Sequence, residues 1–253
     1  MQEINKIYNC DCLVLMAGIP DCFIDLTITS PPYDNLRDYN GYSFDFKNVA
    51  TELFRITKQG GVVIWVVGDA TIKGSETGTS FKQALYFKEI GFNLHDTMIY
   101  EKKNPVPYYH NRYNPCWEYM FVFSKGKPKT WNPLKEEKIT KGFSNSRTFR
   151  YSDGSLKKAH TNLHTTTKLK NNIWSYKVGG NSLINHPAKF PEQLVIDHII
   201  SWSNEKDLIF DPFMGSGTVA KCCKILKRNY IGSEISSEYC KIIEERLNFN
   251  ILL

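Results

Sequence analysis

The stretch DLIFDPFMGSGTVAKCC, residues 207–223, decides how this chain folds. Its apolar start reads as a strand ending in Asp211, its glycines as a turn, and the rest as a helix beginning near Thr218. Glycine in such a turn lets a ligand approach bare backbone at the helix start, and it also serves any ordinary strand-to-helix connection. The Gly-Lys-Ser/Thr ending of a phosphate-binding loop is missing, as is the full Gly-x-Gly-x-x-Gly dinucleotide fingerprint. The next strand, NYIGSEI, ends in Glu234, 23 positions after Asp211. An acidic residue there is placed to accept hydrogen bonds from ribose hydroxyls. A nucleoside without phosphates therefore fits better than NAD.

Outward from this unit the same alternation recurs. Apolar runs rich in β-branched and aromatic residues predict strands over 6–9, 24–29, 62–67, 97–101, 118–123, 208–210 and 230–232. Helical stretches are predicted over 46–57, 80–90, 191–201, 218–226 and 237–247, with Gly60-Gly61 and Gly91 after helices and Pro191 at a start. That order produces an α/β fold built on a largely parallel sheet.

At 253 residues, the chain suits one large domain or one domain with an insertion. Hydrophobic content of 42% and aromatic content of 13% exclude disorder throughout. No apolar run approaches the roughly 20 residues that span a bilayer. The opening MQEINKIYNCDCLVL has acidic and polar residues where a signal peptide needs a basic start, so a cytoplasmic protein with no membrane partner is expected. Seven cysteines, an odd number, argue for reduced thiols. Cys10/Cys12 and Cys222/Cys223 lack zinc-site spacing, so no metal is expected.

The net charge of +6 is unevenly spread: from Lys125 to Lys177 thirteen Lys and Arg stand against three acids, +10 in one segment, which leaves −4 elsewhere. Such asymmetry is expected where one region meets a polyanion, although charge runs are also often just solvated. Over 124–186 the periodicity dissolves into polar residues, with aromatics at Trp131, Phe143, Phe149, Tyr151, Trp174 and Tyr176. A structureless loop of that length is rare unless it is functional or a small subdomain. Rings that stack on bases, set among cations that neutralise phosphates, suit nucleic acid.

A second motif, TITSPPYDN at 27–35, places two prolines directly after an apolar strand. Each lacks a backbone donor, so the strand must stop there. At a strand's carboxyl end, Ser30 and the carbonyl of Pro31 can face a cleft as acceptors for an amino group with two hydrogens. Tyr33 offers a face on which a planar base can stack. A rigid turn with a surface tyrosine is the plainer alternative.

TSPPY together with DPFMGSGT resembles the amino-group DNA methyltransferases, in the motif order of their β group. The likeness extends to NCDCL (9–13), GGVVIWVVGD (60–69), NPCWEYMFVFSKG (114–126) and NHPAKFPEQL (185–194). It implies a Rossmann-like S-adenosylmethionine-dependent fold, a seven-stranded mostly parallel sheet with helices on both faces and 118–123 as the one antiparallel strand. It further implies a catalytic half over 1–124, a basic target-recognition insert over 125–185 and a cofactor-binding half over 186–253.

Carried over by position, the resemblance gives Ser30, Pro31, Pro32 and Tyr33 the catalytic role. Asp211, Pro212, Phe213, Gly215, Ser216, Gly217 and Thr218 match the loop that holds the methionine part of S-adenosylmethionine. Glu234 matches the ribose ligand, Asp11 a position near the adenine, and Lys189, Phe190 and Pro191 the element closing over the methionine end. Phosphate contacts are expected from Arg37, in the loop after the tetrapeptide, and from Lys141, Arg147, Arg150, Lys157 and Lys158 in the insert. The substrate implied is double-stranded DNA, with the target nucleotide flipped out of the stack. Serine before Pro-Pro-Tyr looks more like the cytosine-N4 enzymes, with adenine-N6 as the alternative. A cognate restriction endonuclease acting separately and a homodimeric state are compatible partners. Methyltransferases of RNA or protein amides, and a non-enzymatic DNA-binding protein, are the competing classes.

Overall fold

The structure, a computed structural model, describes residues 2–32, 44–105, 111–138, 146–160, 166–177 and 190–248. In chain order they form β1 (Lys6–Tyr8), α1 (Cys12–Ala17), β2 (Ile24–Thr29), α2 (Phe46–Ile56), β3 (Thr57–Val67), β4 (Thr71–Ile72), β5 (Ser75–Glu76), α3 (Thr79–Glu89), β6 (Asn93–Lys102) and β7 (Trp117–Ser124). Next come β8 (Lys135–Glu137), β9 (Ser146–Arg150), β10 (Leu156–His160), β11 (Thr167–Leu169) and β12 (Ile173–Tyr176). The chain continues with α4 (Glu192–Trp202), β13 (Leu208–Asp211), α5 (Thr218–Ile225), β14 (Asn229–Ser233) and α6 (Ser237–Asn248).

The seven strands read from the sequence all lie in one sheet, ordered β1-β14-β13-β2-β3-β7-β6-β12. β7 runs antiparallel to β3 and β6, as expected, and the other neighbours are parallel. The eighth strand departs from the expectation, because Ile173 to Tyr176 pair in parallel with Ile99 to Lys102. Trp174 and Tyr176 are therefore core residues and not base-stacking rings: Trp174 lies 4.7 Å from His198, and the Tyr176 hydroxyl donates to Asp197 at 2.6 Å.

Helices cover both faces. Residues of α1, α2 and α3, among them Leu15, Met16, Leu53 and Phe87, pack with Trp65, Phe123, Phe210 and Ile231 of the sheet. α4 and α5 pack on each other, on the opposite face, as right-handed crossovers require. From β13 the chain steps to β14 in one direction, and from β2 it steps to β3 in the other. Connections that leave in opposite directions open a crevice at the carboxyl ends of these central strands.

The chain separates into two compact units, one of Met1–Asn132 with Asn172–Leu253 and one of Pro133–Asn171. In the second, β9 and β10 form an antiparallel ribbon and β11 pairs antiparallel with β8. Phe149 and Tyr151 are 50% and 52% exposed there, and the Lys157 ammonium sits 5.4 Å from the Tyr151 ring centre. Among the described residues no helix is long and apolar enough to cross a membrane.

Candidate active site at the carboxyl ends of the central strands

β13 ends in Asp211, beside the end of β2. The Thr29 hydroxyl donates to Asp211 Oδ1 at 2.7 Å, and the Phe213 N–H donates to the same oxygen at 3.0 Å. Burial pushes the Asp211 carboxyl up to about 7; these two donors oppose the rise and nearby Glu234 adds to it. The last residue of β2 thus holds the first residue of the glycine loop, and the chain goes on directly into half-buried Ser30 and buried Pro31.

Glu234 follows β14 and is half-buried. Its Oε2 accepts from the Gly215 N–H at 2.8 Å and its Oε1 from the Ser236 N–H at 2.9 Å. Burial raises its pKa above the ordinary 4.5, against the lowering effect of those amides. A carboxylate has about four acceptor positions, so two amides leave room for further donors. The Glu234 N–H donates to Tyr8 O at 3.0 Å, and Asn9 Nδ2 donates to the Glu234 carbonyl at 2.8 Å, which ties the end of β1 to the same place.

The loop between β13 and α5 closes on itself. The Met214 N–H donates to Ser233 O at 2.9 Å and the Gly217 N–H to Met214 O at 2.8 Å. The Ser233 hydroxyl donates to Pro212 O at 2.8 Å. Gly217 has φ +77°, and a Cβ there would stand 2.7 Å from Ile243 Cγ2, so any other residue would be strained and would press on α6. Pro212, Ser216 and Thr218 are buried, and half-buried Phe213 meets Phe44 edge-on at 5.4 Å. Residues 211–218 include no cation, the Asp211 and Glu234 carboxyls flank the loop, and the nearby Arg246 guanidinium is taken up by the Ser216 carbonyl and hydroxyl. A loop with no Lys or Arg of its own, flanked by two carboxyls, suits ribose hydroxyls and a cationic group better than a phosphate chain.

Other sequence-stated positions fall as follows. Asp11 is the N-cap of α1, accepting from the Leu13 N–H at 2.7 Å, just past β1 and Asn9. Phe190 is half-buried, and Pro191 is the extended N-cap of α4, one position before the first helical residue. Arg150 and Lys157 belong to the β9–β10 ribbon. Tyr33, Arg37, Lys141 and Lys189 lie outside the described residues, as do the side chains of Arg147 and Lys158. Sequence reasoning missed Thr29 and Asn9; the only signals were a polar residue closing an apolar strand and an Asn directly after one.

A family model described as DNA methylase, named for N6 and N4 methyltransferases, matches residues 24–245. The orphan methyltransferase M.BamHII of Bacillus amyloliquefaciens is 56% identical over 250 residues, covering 94% of each chain. The type II methyltransferase M.HinfI of Haemophilus influenzae is 27% identical over 276 residues, 96% of this chain and 68% of that one. Among solved structures, M1.HpyAVI in complex with SAM superposes with a TM-score of 0.68 at 25% identity, covering 96% of this chain and 99% of the other. The cytosine-N4-specific PvuII DNA methyltransferase shares the fold with a TM-score of 0.73 at 20% identity, covering 100% of this chain and 89% of the other. The chain belongs to the DNA methylase family, the amino-methyltransferases of the N6 and N4 kind.

Proposed function

We propose that this protein is a site-specific DNA methyltransferase that uses S-adenosylmethionine to methylate the N4 amine of a cytosine flipped out of duplex DNA. The observation that carries the reading is the 2.7 Å bond from Thr29 to Asp211, which joins the strand leading into Ser30-Pro31 to the loop that would hold the cofactor. The cofactor supplies, when bound, an electrophilic methyl group on a sulfonium centre. Asp211, Pro212, Phe213 and Gly215 to Thr218 would hold its methionine part, Glu234 its ribose and Asp11 the adenine side, with Lys189, Phe190 and Pro191 closing over it.

The chain's own contribution is geometric. An exocyclic amine is a poor nucleophile because its lone pair is delocalised into the base. Ser30 Oγ and the Pro31 carbonyl accept hydrogen bonds from its two N–H groups, which favours a tetrahedral nitrogen with its lone pair directed out of the ring plane. Pro32 keeps the Pro31 carbonyl out of sheet pairing. Tyr33 replaces part of the stacking lost when the nucleotide leaves the duplex, worth about 1–3 kcal/mol per base.

Cytosine is favoured over adenine by Ser30 in the first position of the tetrapeptide, and the adenine 6-amino group is the second reading. Arg37, Lys141, Arg147, Arg150, Lys157 and Lys158 are proposed to contact duplex DNA, with the basic segment over 125–185 encoding the recognised sequence. A restriction-modification setting, a cognate endonuclease acting separately, a homodimer and a cytoplasmic location belong to the same proposal. The test is to methylate a mixed-sequence duplex with isotopically labelled S-adenosylmethionine and identify the labelled nucleoside by mass spectrometry. Labelled N4-methyldeoxycytidine is the expected product. Labelled N6-methyldeoxyadenosine would transfer the same geometry to adenine, and an unlabelled duplex beside labelled RNA or protein would overturn the DNA substrate.

A further inference from the structure

One face of α6 stands behind the glycine loop. Cys240, Ile243 and Arg246 recur at helical spacing on that face. The Cys240 Sγ lies 3.6 Å from the Glu234 carbonyl, and Ile243 fills the space where a Cβ on Gly217 would fall. Arg246 Nη1 donates to the Ser216 carbonyl and, at 3.0 Å, to the Ser216 hydroxyl. Its Nη2 reaches Glu192 Oε1 at 3.1 Å, on the first residue of α4, directly after Phe190 and Pro191. Lys221 of α5 donates to the same carboxylate at 2.7 and 2.9 Å.

The Glu192 charge therefore has a partner without Arg246. What Arg246 adds is a guanidinium whose rigid fork spans two acceptors on two elements, which a single ammonium cannot reproduce. Ser216 is 5% exposed, so its carbonyl would lose its partner inside the fold if the guanidinium were removed. Gly217, with φ +77°, is the residue beside which a peptide plane rotates with least steric cost. The guanidinium holds the carbonyl side of the Ser216–Gly217 peptide, whose N–H side donates to Met214 O at 2.8 Å.

We propose that Arg246 is a positioning residue for cofactor binding: together with Met214 O it holds the Ser216–Gly217 peptide in its binding orientation, without touching the reacting atoms. This rests on the reading of the loop as the S-adenosylmethionine site. The test is calorimetric titration of S-adenosylmethionine, without DNA, into the wild-type chain and the variants Arg246→Ala, Arg246→Lys and Glu192→Gln, alongside steady-state kinetics and thermal melting.

Arg246→Ala should weaken binding about tenfold, the scale of a hydrogen bond from a charged group. KM for S-adenosylmethionine should rise in parallel, while kcat at saturating cofactor and KM for DNA stay near wild type. Arg246→Lys should recover only part of the affinity, and Glu192→Gln, which keeps an acceptor for Arg246, should stay within about twofold of wild type. A folded Arg246→Ala that binds S-adenosylmethionine as the wild type does would overturn the proposal. If Arg246→Ala does not fold, wild-type affinity in Arg246→Lys would overturn it equally, as would a larger loss in Glu192→Gln than in Arg246→Lys. No binding by the wild-type chain would instead overturn the cofactor reading itself.

Discussion

The loop between β13 and α5 ties the N–H groups of Phe213, Met214, Gly215 and Gly217 to its own neighbours, whereas the unit of β9 and β10 leaves the rings of Phe149 and Tyr151 half exposed. Asp211 is 4% exposed and shares one carboxylate oxygen between Thr29 and Phe213. The difference fits the roles proposed for the two regions. A small ligand held in one orientation needs donors and acceptors fixed before it arrives. A polyanion is met by charge that costs little to rearrange, and its affinity is set by counterion release.

The comparison is broken most forcefully at the acceptor pair. Ser30→Ala should lower the methyl-transfer rate at saturating cofactor by about 100-fold, the scale seen when one preorganised partner of a transition state is removed. Calorimetry should find the affinity for S-adenosylmethionine unchanged. A parallel loss of affinity would place Ser30 in the loop's internal support instead. Gly217→Ala comes next, because it forces a side chain into a left-handed backbone position and against Ile243. About 1–3 kcal/mol of stability should be lost in urea denaturation, and an unchanged midpoint would mean that α6 yields there.

Asp211 gives a pH test of the same preorganisation. Its carboxyl titrates near 7 in the folded chain against an ordinary 3.8. Between those values the native state holds more protons than the unfolded state, so ligand-free stability falls as pH rises through that window and stays lower above it. Glu234 is raised too and acts in the same direction. Asp211→Asn should flatten this dependence relative to wild type in denaturation at pH 5 and pH 8; an identical slope would remove the buried carboxyl from the account. The smallest effects are expected in the ribbon. Arg150→Ala and Lys157→Ala should each reduce the salt dependence of duplex binding by a slope of about 1. Their affinity for S-adenosylmethionine should not change.

How far each region could be read before the fold was known follows from the range of its signals. Asp211, the glycines and Glu234 lie on consecutive elements, so their spacing alone placed them together. The strands of the sheet were visible as apolar runs long enough to show a pattern. β12 has four residues, too few to show a period, and its Trp174 and Tyr176 are buried only through pairing with β6, which no local pattern announces. The ribbon strands SRTFR and LKKAH carry no apolar alternation, so they read as loop. The contacts of Thr29 with Asp211 and of Arg246 with Ser216 join residues 182 and 30 positions apart, and no local pattern encodes them.

The most direct test of the central claim is calorimetric titration of S-adenosylmethionine into the DNA-free wild-type protein and into Asp211→Asn. Saturable binding by the wild type, weakened at least about tenfold in the variant, is the expected result. Equal affinity in the two proteins, or no binding by the wild type, would contradict the assignment of this sheet end as the cofactor site.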